Sequence, residues 1–318
     1  MKAMIYERYG DTDVLQTKAL DIPVVDKNQI LIKVRATTVS SADVRMRKAD
    51  PWAVRLFNGI FTPKKQVLGT EFSGEIAAIG ESVTQFNTGD CVFGGTGTEM
   101  GAHAEYLLLE ESAAVTHMPS SLTFEQAASI PFGATASWYF LHHRISTRPK
   151  LRILINGAGG ALGSYGIQIA VNKGMEVTAV CQLAKKALVQ SLGAHDVWDY
   201  TERAVEDRSG EFDILYDTVG NLKYSACKHL LTNDGVWLAA SGGLTDFYRM
   251  LTTRIWGRRK VVCGLAIETK SDMNQIKTLI ETDKLNPVID SIFEFDKLVE
   301  AHRRVEEGRK AGSVVVKL

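Results

Sequence analysis

Cysteine is scarce in this chain. Its 318 residues include four cysteines, Cys91, Cys181, Cys227 and Cys263, and no two of them are close enough in sequence to form a C-x-x-C site. Four dispersed thiols in a neutral chain fit a reducing compartment better than a disulfide framework. We therefore expect each cysteine to be a small, buried apolar residue.

Excess charge of either sign is also missing, since 37 Lys and Arg residues balance 37 Asp and Glu residues. Nucleic acids and anionic membranes both call for a basic face on the protein that binds them, so the composition predicts neither partner. A local basic cluster does occur, at Arg254, Arg258, Arg259 and Lys260. Its simplest interpretation is a solvated surface segment.

Long apolar runs are missing as well. No uncharged apolar run is long enough to span a bilayer, and the first ten residues, MKAMIYERYG, lack the apolar core and cleavage site of a signal peptide. We therefore expect a soluble, cytoplasmic protein. Its length suits two domains of ordinary size, each able to bury a core of its own.

The pattern of apolar residues and glycines changes along the chain. Residues 1 to about 120 contain short β-rich runs between glycine-rich turns, which predicts a twisted, partly closed β structure. After a capping box at Thr123 and Gln126, strands alternate with helices, which is typical of an α/β domain with a doubly wound parallel sheet. We expect strands near 151–156, 176–181, 195–199, 213–217, 235–240 and 260–264, and helices near 161–173, 185–192 and 221–231.

The last fifty residues predict a different arrangement. Helices are expected near 271–283 and 296–307, followed by a final strand at 314–316. This strand has no room to start a new domain, so we expect it to return to the first one. Residues 244–257 stay ambiguous, and we expect a helix that also contacts substrate or a partner subunit.

The segment LRILINGAGGALGSYGIQIA (151–170) contains the main binding motif. An apolar run meets a glycine-rich turn and a helical segment follows, which is the context of a dinucleotide fingerprint. Ala158, Gly160 and Gly163 fall at its three small positions, which permit the tight turn, the approach of a pyrophosphate and close helix packing, respectively. The amides at the helix start favour an anion. The predicted phosphate contacts are Ala158, Gly159, Gly160, Ala161, Leu162 and Gly163.

The residues after the second predicted strand indicate which cofactor binds. NAD-selective domains place an acid about twenty residues past the glycines, on the ribose 2′-hydroxyl. Here the strand ends Val180-Cys181-Gln182-Leu183, without an acid. That permits the 2′-phosphate of NADPH, and Lys185 and Lys186 could supply positive charge. The alternative for the two lysines is simple solvation, although a cation at a helix start opposes the helix dipole.

Several segments together resemble one family, the zinc-independent, quinone-oxidoreductase-like branch of the medium-chain dehydrogenases/reductases. The resemblance covers essentially the whole chain. It is carried by VRATTVSSADVRMRK (34–48), VLGTEFSGEIAAIGESVTQFNTGDCVFG (67–94), INGAGGALGSYGIQIA (155–170), SLGAHDVWDY (191–200), FDILYDTVGN (212–221) and NPVIDSIFEFDKLVEAHRRVEEGRKAGSVVV (286–316). It implies a GroES-like domain at 1–120, completed by 270–318, a Rossmann NADP-binding domain at 121–269, and a homodimer.

The chain departs from zinc-dependent relatives at their metal ligands. Those relatives have a Cys in the segment matching 38–43 and a His in a G-H-E motif matching 69–71. Here Ser40 and Thr70 stand at these positions, and neither is a zinc ligand. We therefore expect no metal. Hydride transfer should then suit a quinone or an α,β-unsaturated carbonyl, whose negative charge is delocalised and can be met by hydrogen-bond donors.

The resemblance also implies roles for individual residues. Ser40, Asp43 and Arg45 match the active-site segment, although relatives have Asn at the position of Ser40 and often Tyr or Lys at that of Arg45. Asp43 is equally well interpreted as a turn or capping carboxylate. The further cofactor contacts are Thr135, Gln182, Lys185, Tyr200, Val219, Ser241, Cys263 and Leu265. Of these, Ser241, Cys263 and Leu265 lie at the carboxyl ends of predicted strands, where ligands of parallel sheets collect.

Two other functions stay open. An enoyl-thioester reductase would require a Tyr in the active-site segment, where Val44 and Arg45 stand instead. A non-catalytic NADPH-binding protein, such as a redox sensor or a crystallin-like protein, would keep the fingerprint equally well, because cofactor binding does not prove turnover.

Overall fold

A computed structural model describes residues 1–146 and 150–318 of the chain. Within these residues the strands are β1 (Lys2–Tyr6), β2 (Leu15–Ala19), β3 (Gln29–Val39), β4 (Glu71–Ile79), β5 (Cys91–Gly95), β6 (Tyr106–Glu110), β7 (Val115–His117), β8 (Arg152–Asn156), β9 (Glu176–Cys181), β10 (Asp196–Asp199), β11 (Phe212–Asp217), β12 (Leu231–Ala239), β13 (Lys260–Cys263), β14 (Ile289–Glu294) and β15 (Ser313–Lys317).

The same residues form ten α-helices and several short helical turns. The helices are α1 (Ser41–Lys48), α2 (Val54–Asn58), α3 (Phe124–Ala128), α4 (Pro131–Trp138), α5 (Ala161–Asn172), α6 (Lys186–Ser191), α7 (Tyr224–Cys227), α8 (Leu244–Trp256), α9 (Lys270–Glu281) and α10 (Leu298–Glu306). The turns are Thr12–Val14, Tyr139–His143, Leu183–Lys185, Val205–Asp207, Lys228–Leu230 and Phe295–Lys297. No described helix is long and apolar enough to cross a membrane.

The chain divides into two compact units. The first unit comprises residues 1–132 and 268–318, and the second unit comprises residues 133–267. Residues 121–132, which the sequence placed with the second domain, lie in the first unit. The physical reason is the packing of α3, where Ala128 joins Ala36 and Val315 in one buried cluster.

The first unit is built on a mixed sheet with the strand order β14-β15-β3-β4-β5-β7, in which β6 also pairs with β3. The final strand returns to this unit as expected, because β15 pairs antiparallel with β3 and places Val314 opposite Val39. Fully buried Ile30, Ile32 and Phe72 lie at the centre of one of its cores. This sheet therefore takes strands from both ends of the chain.

The second unit is built on a six-stranded parallel sheet with the order β10-β9-β8-β11-β12-β13. The order reverses between β8 and β11, which is the switch point of a doubly wound sheet. Ile153, Leu154 and Ile155 of β8 are completely buried, as expected for a strand covered on both faces. The expected α/β class with a strand-rich domain and a doubly wound domain is therefore confirmed.

One predicted helix of the second unit is wrong in extent. The helix expected near 221–231 is the short α7, followed by a helical turn at Lys228–Leu230. The chain enters β12 at Leu231, which pairs with Phe212, because Leu230 and Leu231 are both fully buried in the core of the sheet. The ambiguous residues 244–257 are largely the helix α8.

Candidate functional site

The tight turn after β8 is made by Gly157. Its φ of 74° lies in the left-handed region, and a Cβ atom at this position would lie 2.5 Å from Val219 Cγ2. The expectation that Ala158 makes the tight turn is therefore wrong. Only glycine adopts such a φ without strain and leaves room for Val219. The G-x-x-G-x-x-G spacing of Gly157, Gly160 and Gly163 is the signal that would have found it.

The start of α5 is open to an anion. Gly160 is the N-cap residue; no side chain caps this end, and the first turn has no acid. The first intrahelical bond runs from Ser164 N to Gly160 O at 2.9 Å, so the amides of Ala161, Leu162 and Gly163 have no acceptor within the helix. A Cβ at Gly163 would lie 2.3 Å from Gly157 O, so the third small position permits close packing, as expected. These features fit a pyrophosphate.

Lys185 lies against the glycine turn. A Cβ atom on Gly159 would lie 2.5 Å from Lys185 Cδ, so the lysine stem crosses the turn. The contact places the stem of Lys185, which lies in the helical turn after β9, beside the residues that precede α5.

An acid that the sequence did not point to lies beside β9. Asp199 of β10 stands opposite Cys181 in the parallel register. Its carboxylate accepts hydrogen bonds from Leu183 N at 3.0 Å and from Thr201 N and Oγ1 at 2.8 and 2.7 Å. The Thr201 hydroxyl is the main cause that lowers the pKa of Asp199. These bonds orient the carboxylate toward the local backbone.

A buried carboxylate organises the loop after β11. Asp217 Oδ1 accepts hydrogen bonds from Asn156 Nδ2, Val219 N and Gly220 N at 2.8, 3.1 and 2.9 Å. Burial raises the pKa of Asp217, and these hydrogen bonds oppose that effect. Thr218 Oγ1 donates to Asn156 O at 2.8 Å. The hydrogen bonds of Asp217 thus hold Val219 against the glycine turn. This role was not predicted from the sequence, although Asp217 ends β11, the strand next to β8.

The predicted cofactor residues fall into two groups. The structure brings together those around the turn, because Lys185 and Val219 contact it and Ser241 Oγ donates to Thr218 O at 3.1 Å. Thr135 is buried in α4. The others are spread along the carboxyl edge of the sheet: Gln182, Tyr200, Cys263 and Leu265. Of these, Cys263 is buried and donates to Met250 Sδ at 3.8 Å, whereas Leu265 is exposed.

In the first unit, Asp43 is a capping group. Its Oδ2 accepts from Ser40 Oγ and Ser40 N at 2.6 and 2.8 Å, and its Oδ1 accepts from Gly69 N at 2.8 Å. The carboxylate is completely buried. Asp43 therefore closes the N-terminus of α1 and ties it to the segment before β4. The geometry favours the capping interpretation of this residue.

Two buried hydroxyls stand where zinc-dependent relatives have metal ligands. Ser40 Oγ lies 3.3 Å from Thr70 Oγ1. Since the Ser40 proton is directed at Asp43, Thr70 is the hydroxyl whose proton can turn to another acceptor. Thr96 Oγ1 donates to Gly69 O at 3.0 Å and holds this segment in place.

Arg45 does not join these hydroxyls. Asp43 and Arg47 are both buried on α1, so residue 45 falls on the opposite side of the helix, and it is exposed. Its predicted catalytic role therefore has no support from the local geometry of the first unit.

Glu71 is a buried acid next to Thr70. Its side chain accepts hydrogen bonds from the Thr38 hydroxyl and from Phe132 N, the latter at 2.7 Å. Burial is the main cause that raises its pKa to about 8, and the charge of Glu268 adds to the shift. The surroundings of Glu71 therefore favour its protonated form. Across residues 1–146 and 150–318, no three His, Cys, Asp or Glu residues are grouped where they could hold a metal ion.

Two domain families match the chain. The alcohol dehydrogenase GroES-like domain matches residues 26–120, and the zinc-binding dehydrogenase domain matches residues 192–316. The first match lies within the strand-rich first unit. The second match begins at the end of α6 and continues into β15.

Similar proteins extend the match to the full length. The chain is 30% identical to the mitochondrial NAD(P)H oxidoreductase RTN4IP1 of Bos taurus, over 99% of the chain and 89% of that protein. It is 30% identical to the 2-methylene-furan-3-one reductase of Solanum lycopersicum, over 99% and 79%. The structure of the quinone oxidoreductase from Coxiella burnetii superposes with a TM-score of 0.89 at 27% identity, covering 100% of the chain and 99% of that protein.

Proposed function

Because the chain belongs to the zinc-independent, quinone-oxidoreductase-like medium-chain dehydrogenases/reductases, we propose that it is an NADPH-dependent reductase of quinones or α,β-unsaturated carbonyls. Family membership makes it an NAD(P)H oxidoreductase. The choice of NADPH over NADH and the class of acceptor are the proposed part.

The observation that carries the proposal is the contact between Lys185 and the glycine turn. The uncapped start of α5 binds the pyrophosphate with the amides of Ala161, Leu162 and Gly163. Lys185 then supplies a cation for the 2′-phosphate. Asp199, the acid opposite Cys181, accepts hydrogen bonds from Leu183 N and Thr201 N. These bonds direct its carboxylate away from the ribose 2′-hydroxyl contact that selects NAD.

The acceptor class follows from the chemistry of the candidate groups. The bound nicotinamide supplies a hydride. Quinones and enones accept it by conjugation, and the oxygen that gains charge needs a hydrogen-bond donor. Thr70, supported by Ser40 and Asp43, offers such a donor in the first unit. The names of the relatives as a furanone reductase and a quinone oxidoreductase agree with this class.

Steady-state turnover tests the proposal. We expect the purified chain to oxidise NADPH with small quinones and enones, and to do so far more slowly with NADH. Thr70→Val should lower kcat by about a hundredfold, as loss of one oxyanion donor does elsewhere. Binding of NADPH without turnover of any quinone or enone would instead support the non-catalytic alternative, and turnover of enoyl thioesters alone would support the thioester reductase.

The predicted homodimer and cytoplasmic location remain predictions. Sedimentation velocity tests the first. The names of similar proteins place some of them in mitochondria or chloroplasts, so imaging of a tagged chain in its own cell is the test of the second.

A further inference from the structure

The outer face of α8 carries a stripe of large apolar side chains. Leu244, Tyr248, Leu251 and Ile255 recur at intervals of four, three and four residues, so they share one side of the helix. Their exposed fractions are 89%, 68%, 61% and 69%. Amphipathic helices normally turn such a stripe toward the core. Here it faces solvent.

The opposite face of α8 anchors the helix to the second unit. Thr253 Oγ1 accepts from Val261 N at 3.0 Å, and Met250 packs on the core cluster that contains Cys263. The Arg249 guanidinium lies 5.5 Å from the centre of the Tyr224 ring. The fold therefore holds the helix without help from the apolar stripe.

Positive charge accompanies the stripe. Residues 247–267 contain five cations and no acid. Three of the cations are used locally: Arg249 pairs with Asp246 at 3.7 Å, and Arg259 and Lys260 donate to backbone carbonyls. Arg254 and Arg258 are exposed, and neither has an ion-pair partner among the described residues.

An exposed apolar stripe with unpaired cations beside it, on a helix whose acid Asp246 is already paired, is the pattern of helices that lie in the interface of a bilayer. We propose that α8 docks the second unit on an anionic lipid surface, with the stripe in the boundary between headgroups and acyl chains and with Arg254 and Arg258 on lipid phosphates. A second copy of the chain is the less favoured occupant. Asp246, the acid of α8, already caps Gly243 N at 3.1 Å and pairs with Arg249, so the copy would offer no unpaired carboxylate from this helix.

This proposal revises the expectation from composition. The overall balance of charge hides a local excess of positive charge around α8. The basic cluster at 254–260 adjoins an apolar face of this helix, and the sequence alone did not show that this face is exposed. The proposal does not depend on the oxidoreductase activity, because vesicle binding is measured without any acceptor.

Flotation with lipid vesicles tests the proposal. We expect the full chain to bind phosphatidylcholine vesicles that contain phosphatidylserine at least tenfold more tightly than phosphatidylcholine alone, with binding weakened by added salt. Leu251→Ser with Ile255→Ser should lower the affinity at least tenfold, and Arg254→Gln with Arg258→Gln should lower it by about as much. The midpoint temperature of thermal unfolding should stay unchanged in both double variants, because the altered side chains are exposed.

Phe57→Ser with Phe61→Ser is the matched control. These phenylalanines are 84% and 88% exposed in the first unit, so the control removes comparable apolar surface elsewhere and should leave vesicle binding intact. The proposal is overturned if the unchanged chain does not bind the mixed vesicles, or if the control pair loses binding equally. It is also overturned if the α8 variant instead dissociates an oligomer in sedimentation velocity, which would identify a second copy as the occupant.

Discussion

Lys185 supplies the most direct test at the scale of single residues. Lys185→Ala should raise the KM for NADPH about tenfold, the factor that corresponds to about 1.4 kcal/mol, because it removes the cation proposed to meet the 2′-phosphate, whose side chain lies against the glycine turn. The KM for NADH, which has no 2′-phosphate, should change little. Steady-state kinetics with both cofactors measures the difference.

Lys186→Ala is the control for this test. The residue follows Lys185 directly and is exposed, so it carries the same charge at almost the same place without the contact to Gly159. Equal effects of the two substitutions on NADPH would contradict a specific role for Lys185.

Glu71 makes a second prediction at this scale, about pH. Its pKa is about 8 in the folded chain against an ordinary value of 4.5, so between these pH values the native state holds a proton that the unfolded chain has released. The free energy of unfolding should therefore fall as the pH rises through this range, by at most about 1.4 kcal/mol per pH unit. Urea unfolding between pH 5 and pH 8, a window set by these two pKa values, measures the slope.

Glu71→Gln should remove that part of the slope, because the amide cannot ionise and still accepts from Phe132 N. Glu110→Gln, at an exposed position on β6, should leave the slope as it is. If the slope persisted in the Glu71 variant, the buried carboxyl would not be its source.

At the scale of elements, the loop after β11 depends on Asp217. Asp217→Asn keeps one acceptor oxygen for the N–H groups of Asn156, Val219 and Gly220, but it replaces Oδ2, which accepts from Leu222 N at 3.4 Å, with an amide donor and removes the negative charge. We expect the Kd for NADPH to rise about tenfold and the stability to fall by about 1–3 kcal/mol, the usual effect of a mispaired buried group. Fluorescence titration with NADPH and chemical unfolding measure the two effects.

The matched control is Asp213→Asn, at the other end of the same strand, where the carboxylate accepts from Arg152 N at 2.9 Å at an exposed position. NADPH binding should be unchanged in this variant. A loss of affinity as large as that of Asp217→Asn would show that any change to β11 disturbs the loop.

Most elements were predictable because each has a local signal. The apolar run of β8, the glycine turn and α5 follow one another in the sequence, and the strands of the parallel sheet are continuous apolar runs. The end of α7 was not predictable, because it is set by the burial of Leu230 and Leu231 and by the pairing of Leu231 with Phe212. That contact joins residues far apart in the sequence.

The candidate site was predictable only in part, because several of its residues gain their roles from contacts that the sequence does not state. Ser40 and Asp43 lie three residues apart, which is also the spacing of a capping box, and the sequence alone could not decide between capping and catalysis. Asp217 and Asp199 gain their roles from neighbouring parallel strands, whose order a single sequence does not state. Gly157 was missed because the fingerprint also fits with Ala158 at its first small position, and only the φ of 74° and the close approach of Val219 show that Gly157 makes the turn.

At the scale of the whole molecule, the two units should respond to different changes. NADPH should raise the unfolding temperature of the second unit, since a ligand stabilises the part that binds it. Val315→Ala should lower that of the first unit by the loss of about 2 kcal/mol, because Val315 is completely buried in its core. Differential scanning calorimetry with each change made alone should show a shift in only one part of the unfolding transition. A uniform shift of the whole transition in both experiments would contradict independent responses of the two units.

The pairing of β15 with β3 also has a consequence for how the protein is made. On the ribosome, β3 emerges early and can pair with β4 and β6, but its residues 36–39 lack their partner until residues 313–317 have been synthesised. At about 5–20 residues per second, the intervening residues 133–267 alone take on the order of ten seconds to translate. The second unit can thus fold while the first is still incomplete, and during that interval the open edge of β3 is available for pairing with other chains.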